Sequence, residues 1–168
     1  MKLNVGCGKK ILPGWVNVDV VPGPGVDVVA EITNLPVEDN SCSEVMAIHV
    51  LEHLYPWDAD VALSEFMRVL APGGQLVLEL PDFRKCCQNI ANDVKHHKHP
   101  DMLGLFGMFG DPKYRDPHMM HRWGYTPETL GTLLLSHGYS RVRQETPQFH
   151  SVGKHLRDMR LVCNKPEM

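Results

Sequence analysis

Two apolar segments near the start of the chain, each bounded by glycine, constrain the fold more than any other feature. Residues 3–8 read LNVGCG and residues 14–20 read GWVNVDV. Both are short and rich in Val, which is typical of buried strands, and the first runs into a glycine turn. Glycine is needed where a backbone takes a positive φ or approaches a ligand closely, and Asp19 could hold the two hydroxyls of a ribose. The pair predicts half of a nucleoside-binding site at the carboxyl edge of a parallel sheet.

The spacing of the glycines distinguishes between nucleosides. The turn continues as Gly6-Cys7-Gly8-Lys9-Lys10-Ile11, so the third glycine of G-x-G-x-x-G is absent. That third position belongs to a turn that holds a pyrophosphate at a helix N-terminus. S-adenosylmethionine has no phosphate and needs only the close backbone approach and the ribose carboxylate. The turn disfavours a nicotinamide oxidoreductase, although a lone G-x-G also suits an ordinary tight turn.

The next part of the chain has the alternation of strands and helices that is typical of an α/β sheet. Further strands are predicted over residues 25–32, 45–49 and 75–80, with a short helix between 33 and 45. Apolar residues at near-helical spacing predict an amphipathic helix over 58–70. Strands that alternate with such connections form parallel sheets with right-handed crossovers.

Polar residues and glycines stand where these strands end. The glycine turn follows the first strand, Asp19 ends the second, Glu31 ends the third and His49 ends the fourth. Ligands of open α/β sheets bind beyond the carboxyl ends of the strands. The convergence of these positions is stronger evidence for a binding site than any one motif.

Residues 83–125 break this pattern. The segment is rich in Gly, Pro, His and aromatic residues, and it predicts a long insertion or lid rather than regular core. From 84 to 123 there are seven Lys or Arg against four Asp, so the segment is basic while the whole chain carries −3. The excess is either a solvated face or a site for an anionic acceptor.

The last part of the chain returns to regular structure. Thr126 and Pro127 are suited to begin a helix, and Gly138 is suited to end it. Residues 139–146 and 157–164 predict two strands that form an antiparallel pair at the edge of the sheet.

Length and composition set outer limits on the class of protein. The 168 residues suit one domain, residues 1–168, with a substantial core. No apolar run approaches the ~20 residues of a membrane helix, and no secretory signal is evident. Five cysteines without a C-x-x-C pair indicate free thiols in a reducing cytoplasm.

Six motifs together resemble the class I S-adenosylmethionine-dependent methyltransferases, of the small-molecule type known as methyltransferase type 11. They are VGCG, VNVDV, LPVEDNS, HVLEHL, EFMRVLAPGGQLVLELPD and LLLSHGY. The resemblance covers residues 3–82 well and 126–163 loosely. It implies a Rossmann-like sheet of about seven strands, mostly parallel with the last strand antiparallel, and S-adenosylmethionine as the cofactor.

The resemblance also implies roles for eight positions. The turn after the first strand would line the methionine and ribose, the acid ending the second strand would bind the ribose hydroxyls, and the residue after it would lie near the adenine. The end of the third strand would meet the adenine edge, and the end of the fourth would lie near the reactive methyl group. These positions are Gly6, Cys7, Gly8, Asp19, Val20, Glu31, Ile32 and His49.

Two departures from the family leave the predicted cofactor site open. The usual helix before the first strand is missing, since that strand begins at Leu3, and the connection between Gly8 and Trp15 is short. Either a partner subunit, as in a homodimer, or residues 83–125 would cover the site.

The histidines provide the candidate catalytic residues. His49-x-x-Glu52-His53 matches a zinc-protease pattern, but that chemistry needs both imidazoles on one helical face, and His49 ends a predicted strand. No metal site is therefore predicted, and the histidines at 96–99 are read as a solvated loop. The candidates for a general base are His49, His53 and His121, with Asp82 placed to orient one of them.

The expected activity is methyl transfer to a small molecule. The basic segment favours a sugar, a nucleotide-sugar or another anionic metabolite, and six side chains could wall an apolar acceptor pocket. A catalytically silent subunit of a larger modifying complex is the alternative. Nucleic acid is not expected, because the chain is acidic and has no Asn-Pro-Pro-Tyr-like element for a flipped base. The six pocket candidates are Met102, Phe106, Met108, Phe109, Met119 and Met120.

Overall fold

The computed structural model describes residues 1–94, 103–149 and 154–167. Seven strands form one sheet in the order β3-β2-β1-β4-β5-β7-β6. The first five strands pair in parallel, and β7 is antiparallel to both β5 and β6. The predicted seven-stranded α/β sheet with its last strand antiparallel is therefore confirmed. The strands are β1 (Lys2–Val5), β2 (Val16–Asp19), β3 (Val28–Val29), β4 (Cys42–Ile48), β5 (Leu70–Pro81), β6 (Ser140–Glu145) and β7 (Asp158–Asn164).

In the described parts of the chain five α-helices accompany the sheet: α1 (Pro56–Val69), α2 (Phe83–Ala91), α3 (Leu103–Phe109), α4 (Pro127–Ser136) and α5 (Lys154–Arg157). The predicted cap of α4 is confirmed. Thr129 N donates to Thr126 Oγ1, and Thr126 N donates to Thr129 Oγ1, so two backbone donors that the helix leaves unpaired are satisfied. Gly138 follows the helix at φ +85°. No described helix has the length and apolar character that crossing a bilayer requires.

The two faces of the sheet are covered differently. On one face α1 and α4 bury Leu63, Phe66, Leu130 and Leu134 completely, in a core continuous with the strands. Each such side chain contributes about 1.5–3 kcal/mol on leaving water. The other face carries a small apolar cluster of Met46, Ile48, Val77 and Val162, with Leu12, Trp15 and Phe149 packed on it.

The connection between β1 and β2 contains no helix, in agreement with its short length. Two buried amides hold it instead. Asn4 Nδ2 donates to Lys10 O at 2.7 Å and to Asn17 Oδ1 at 2.9 Å, and Leu12 N donates to the same Asn17 Oδ1 at 2.9 Å. These bonds satisfy backbone groups of the loop and fix it against the sheet.

Two local predictions are wrong. The third strand is limited to Val28–Val29 rather than 25–32, because it forms the sheet edge and a turn from Gly23 to Val26 precedes it. No helix forms between residues 33 and 41. Arg68 donates to the carbonyl oxygens of Leu35 and Val37, so those backbone groups are satisfied by a side chain of α1 rather than by a helix.

Residues 83–125 leave and re-enter the sheet region at one place. Phe83 N donates to Tyr125 O at 2.8 Å, and Asp82 forms an isolated bridge with Tyr125. Between these ends lie α2, α3 and two 3₁₀ turns at Pro112–Tyr114 and Pro117–Met119. The assignment of this segment as an acceptor-site insertion or lid stays a prediction. The histidines at 96–99 and Met102 lie outside the described residues.

Candidate active site

The carboxyl ends of β3, β2, β1 and β4 lie side by side. Parallel pairing aligns Val5 with Val18 and with Ala47, and Asp19 with Val29. The residues that follow these strands therefore line one edge of the sheet, as expected. We call eight of them the cradle: Gly6, Cys7, Gly8, Asp19, Val20, Glu31, Ile32 and His49.

The glycine turn of the cradle cannot accommodate larger residues at its first position. Gly6 has φ +62°, and a Cβ added there would lie 2.4 Å from Val50 Cγ2. Gly8 has φ +50°, with nothing within 4 Å of an added Cβ. Between them Cys7 is buried, its backbone N donates to Val18 O, and burial together with nearby Asp19 raises the pKa of its thiol. The backbone is thus held close to β4 and left open on the side of Gly8.

Asp19 is fixed at both carboxylate oxygens. Gly8 N donates to Oδ2 at 2.7 Å, and Val21 N donates to Oδ1 at 2.9 Å. The carboxylate therefore stands beside the glycine turn in one orientation. Each oxygen can still accept another hydrogen bond, because a carboxylate oxygen has two lone pairs.

The rim beyond Asp19 is more exposed. Val20 leaves 48% of its surface to solvent, Glu31 is exposed and Ile32 is buried. Ala30 N donates to Asp19 O at 3.0 Å, which ties the end of β3 to the end of β2. An exposed apolar side chain and an exposed carboxylate therefore stand on this rim.

His49 ends β4 as predicted, but its imidazole is enclosed by acids. Nδ1 lies 2.9 Å from Glu52 Oε1, and Nε2 lies 3.5 Å from Asp158 Oδ2. Burial by itself lowers the pKa of His49, yet the two carboxylates outweigh it and raise the pKa to about 9. Both ring nitrogens face carboxylates, so neither is directed to an acceptor proton.

Asp82 is predicted to orient one of the three candidate histidines, but its Oδ1 accepts from Arg84 N at 3.0 Å and caps α2. The acids beside His49 are Glu52 and Asp158. Asp158 begins the antiparallel strand β7, and a strand of that direction starts at the edge where parallel strands end. That rule is the sequence signal that could have indicated Asp158.

A second group of polar side chains lies next to the cradle. Glu52, His53 and His121, called here the His–Glu cluster, offer one ligand atom each, and these atoms lie within 4.8 Å of one another. The two imidazole rings meet edge to face with centroids 4.8 Å apart. Burial lowers the pKa of His121. The structure thus brings together two of the three predicted catalytic histidines.

Backbone contacts join the distant segments that carry the His–Glu cluster. Arg122 N and Trp123 N both donate to Glu52 O, and Met120 O lies 3.2 Å from His53 Nδ1. His121 Nδ1 lies 2.8 Å from Gly107 O. Residues 51–53, 107 and 120–123 therefore form one rigid junction, which no local sequence pattern indicates.

An apolar cavity of about 390 Å³ adjoins this junction. Three of the predicted pocket residues, Phe106, Phe109 and Met120, line it, whereas Met108 and Met119 do not. Its lining residues are Leu105, Phe106, Phe109, Gly110, Pro112 and Met120. Lys113, next in sequence to the lining residue Pro112, pairs with Asp111.

Comparison with known proteins agrees with this fold. Residues 3–78 match the family model described as a methyltransferase domain. A search of curated proteins found no significant match.

Solved structures of methyltransferases align with nearly the whole chain at low sequence identity. A protein from Methanosarcina mazei, described as a SAM-dependent methyltransferase, is 15% identical, with a TM-score of 0.67 over 99% of this chain and 92% of the other. The 1,6-didemethyltoxoflavin-N1-methyltransferase of Burkholderia thailandensis, bound to its substrate and S-adenosylhomocysteine, is 14% identical, with a TM-score of 0.64 over 99% and 71%. A putative methyltransferase of Haloferax volcanii, in complex with the Trm112 methyltransferase activator, is 12% identical, with a TM-score of 0.62 over 99% and 82%.

These likenesses show the fold. The seven-stranded sheet, with a glycine turn and an acid at adjacent strand ends, is the fold of these methyltransferases. Residues 3–78, somewhat less than half of the chain, are in addition similar to a methyltransferase domain.

Proposed function

We propose that the cradle binds S-adenosylmethionine and that the chain transfers its methyl group to a small molecule. The observation that carries the proposal is the fixed carboxylate of Asp19, held between the backbone N–H groups of Gly8 and Val21. A carboxylate in that place can accept both ribose hydroxyls without reorganising. Exposed Val20 supplies an apolar surface for the adenine. Glu31 supplies a polar group and Ile32 an apolar group at the edge of the adenine.

The acceptor would bind on the far side of His49, against the His–Glu cluster and the apolar cavity. A sulfonium methyl group is already activated, so the main task of the protein is to align the acceptor atom with the methyl–sulfur bond. His53 and His121 are the side chains available for that atom. His49 instead keeps the strand end and Glu52 in place through its two acidic contacts.

The lining of the cavity supports an acceptor with an apolar body. Phe106, Phe109 and Met120 offer ring and thioether surface, and Lys113, beside the lining residue Pro112, already has an acidic partner in Asp111. This combination supports a ring or chain compound with one reacting O or N over a sugar, a nucleotide-sugar or another anionic metabolite.

The experiment that tests the proposal measures binding first and transfer second. Calorimetry should give 1:1 binding of S-adenosylmethionine and S-adenosylhomocysteine and no binding of NAD. A panel of phenols, aromatic amines, sugars and sugar phosphates is then assayed for release of S-adenosylhomocysteine. Turnover with the apolar acceptors supports the proposal, and turnover confined to sugar phosphates contradicts the acceptor assignment.

A catalytically silent subunit is the second candidate, because the similar Haloferax protein was solved in complex with a methyltransferase activator. In that case the chain would bind S-adenosylmethionine tightly and show no transfer until a partner is added.

A homodimer or residues 83–125 would cover the open cradle. Light scattering with and without cofactor distinguishes these two possibilities, because only a homodimer doubles the measured mass.

A further inference from the structure

We propose that Glu52, His53 and His121 form a binding site for one divalent transition-metal ion beside the cradle. Two imidazoles and one carboxylate are a ligand set that Zn²⁺ and non-haem Fe²⁺ use in proteins, with further coordination positions left open. The three side chains come from a 3₁₀ turn, Leu51–His53, and from a loop some seventy residues later in the chain. The site is therefore assembled by tertiary structure.

The carboxylate of Glu52 has one oxygen unused. Glu52 is 2% exposed, and its Oε1 is bonded to His49 Nδ1. Its Oε2 is buried and has no hydrogen-bond partner among the described residues. A buried carboxylate oxygen without a partner is costly, and a bound cation satisfies it. This oxygen is the one that we assign to the metal.

Each imidazole already has the contact that metal-binding histidines make with their other nitrogen. His53 Nδ1 lies 3.2 Å from Met120 O, and His121 Nδ1 lies 2.8 Å from Gly107 O. A carbonyl accepts, so Nδ1 carries the proton in both rings and Nε2 is left as the ligand atom. Histidines that bind metals almost always donate the second ring N–H to a carbonyl or carboxylate in this way.

The spacing requires only a small closure. Ligand atoms at about 2.0–2.2 Å from a tetrahedral ion are roughly 3–3.5 Å apart. One ligand atom from each residue of the His–Glu cluster lies within 4.8 Å of the other two, so a pair at that limit must approach by about 1.5 Å. Both histidines are only partly buried, which leaves room for that side-chain rotation.

The expectation of no metal rested on pairing His49 with His53. The structure turns His49 toward Glu52 and Asp158 and brings His121 to His53 instead. The ion would thus bind Glu52, which is hydrogen-bonded to His49 at the end of β4. It would also lie next to the apolar cavity. Its open positions would face the space that the proposed function gives to the acceptor, although metal binding itself does not depend on that function.

The test uses full-length protein without a histidine tag, stripped of metals with a chelator. Co²⁺ is added as a spectroscopic probe and Zn²⁺ as a calorimetric one. We expect one ion per chain, with the visible absorption of a four- or five-coordinate Co²⁺ site. His53→Ala and His121→Ala should each weaken binding by about 100-fold or more, because each removes a direct ligand.

Two controls separate this site from adventitious binding. His118→Ala removes an exposed imidazole that pairs with Asp116, and a triple change of His96, His97 and His99 to Ala removes the histidine-rich stretch. Both should bind as the unaltered chain does. Glu52→Gln should also lose the ion, and if it fails to fold the two histidine variants carry the test.

The proposal is overturned if the unaltered chain takes up neither ion. It is also overturned if binding survives the loss of His53 and His121, or disappears with the triple change. The affinity for S-adenosylmethionine is measured on the same variants. Since these residues lie outside the cradle contacts with ribose and adenine, cofactor binding should persist, so failure of the metal site is distinguishable from failure of the proposed cofactor site.

Discussion

The cradle and the His–Glu cluster are neighbours built by opposite means. The cradle takes backbone from successive strand ends, and the carboxylate of Asp19 is held there by two backbone N–H groups. The His–Glu cluster takes side chains from distant segments and orients its two imidazoles through the carbonyls of Met120 and Gly107. A cofactor common to many enzymes can be bound by backbone shape, whereas recognition of an acceptor relies on side chains that can change without altering the sheet.

Gly6→Ala should have the largest effect, because it changes the backbone conformation of the cradle. The new Cβ would lie 2.4 Å from Val50 Cγ2 at φ +62°. Left-handed strain and overpacking together should cost about 3 kcal/mol of folding free energy and displace the turn. Thermal unfolding and calorimetric titration with S-adenosylmethionine measure both losses.

Gly14→Ala is the matched control. Gly14 has φ +79° but nothing within 4 Å of an added Cβ, so it should show the strain alone, about 1–2 kcal/mol. Equal effects at the two glycines would contradict the role of close approach at Gly6.

Asp19→Ala should have the next largest effect and should act on binding rather than on stability. Hydrogen bonds to a charged group contribute about 1.5–3 kcal/mol, so the affinity for S-adenosylmethionine should fall roughly 10- to 100-fold. The control is Asp27→Ala, since Asp27 also accepts from a backbone N–H, that of Asn17, but stands outside the cradle. Unchanged calorimetric affinity in the Asp19 variant would remove the ribose assignment.

Met120→Ala should affect the acceptor side alone. Met120 lines the apolar cavity and is half exposed, so its loss should raise the KM for an acceptor found in the panel by about fivefold, or ~1 kcal/mol. Affinity for S-adenosylmethionine should not change. Leu135→Ala, at a more exposed residue of α4 (59% against 46%), should leave both values unaltered. A change in cofactor affinity would show that the two regions are not separable.

Tyr139→Phe should have the smallest effect and should touch neither region. Its hydroxyl donates to Leu63 O at 2.8 Å in the core between α4 and α1. Loss of this buried bond should reduce the free energy of unfolding by about 1 kcal/mol and the Tm by roughly 2–4 °C. Tyr114→Phe, at an exposed ring, is the control for thermal unfolding. A loss of transfer activity beyond the loss of folded protein would be unexpected.

The contrast between the regions also explains what the sequence could predict. The parallel strands, the antiparallel pair at the end of the chain and the placement of Asp19 and His49 at strand ends follow from local patterns, because strand ends and glycine turns carry their own signals. The edge strand was overestimated because Val-rich composition does not reveal that Val28–Val29 has only one neighbouring strand. The partnership of His53 with His121 depends on tertiary contacts through Gly107 and Met120, and no spacing in the chain encodes it.

The hydrogen bond from Phe83 N to Tyr125 O has an evolutionary consequence. Because residues 83–125 enter and leave through adjacent points, their length can change without shifting the register of β5 or α4. Such a junction lets the segment behave as an exchangeable cassette, so that grafting a different one between Asp82 and Thr126 would replace the apolar cavity and His121 while the cradle stays as it is.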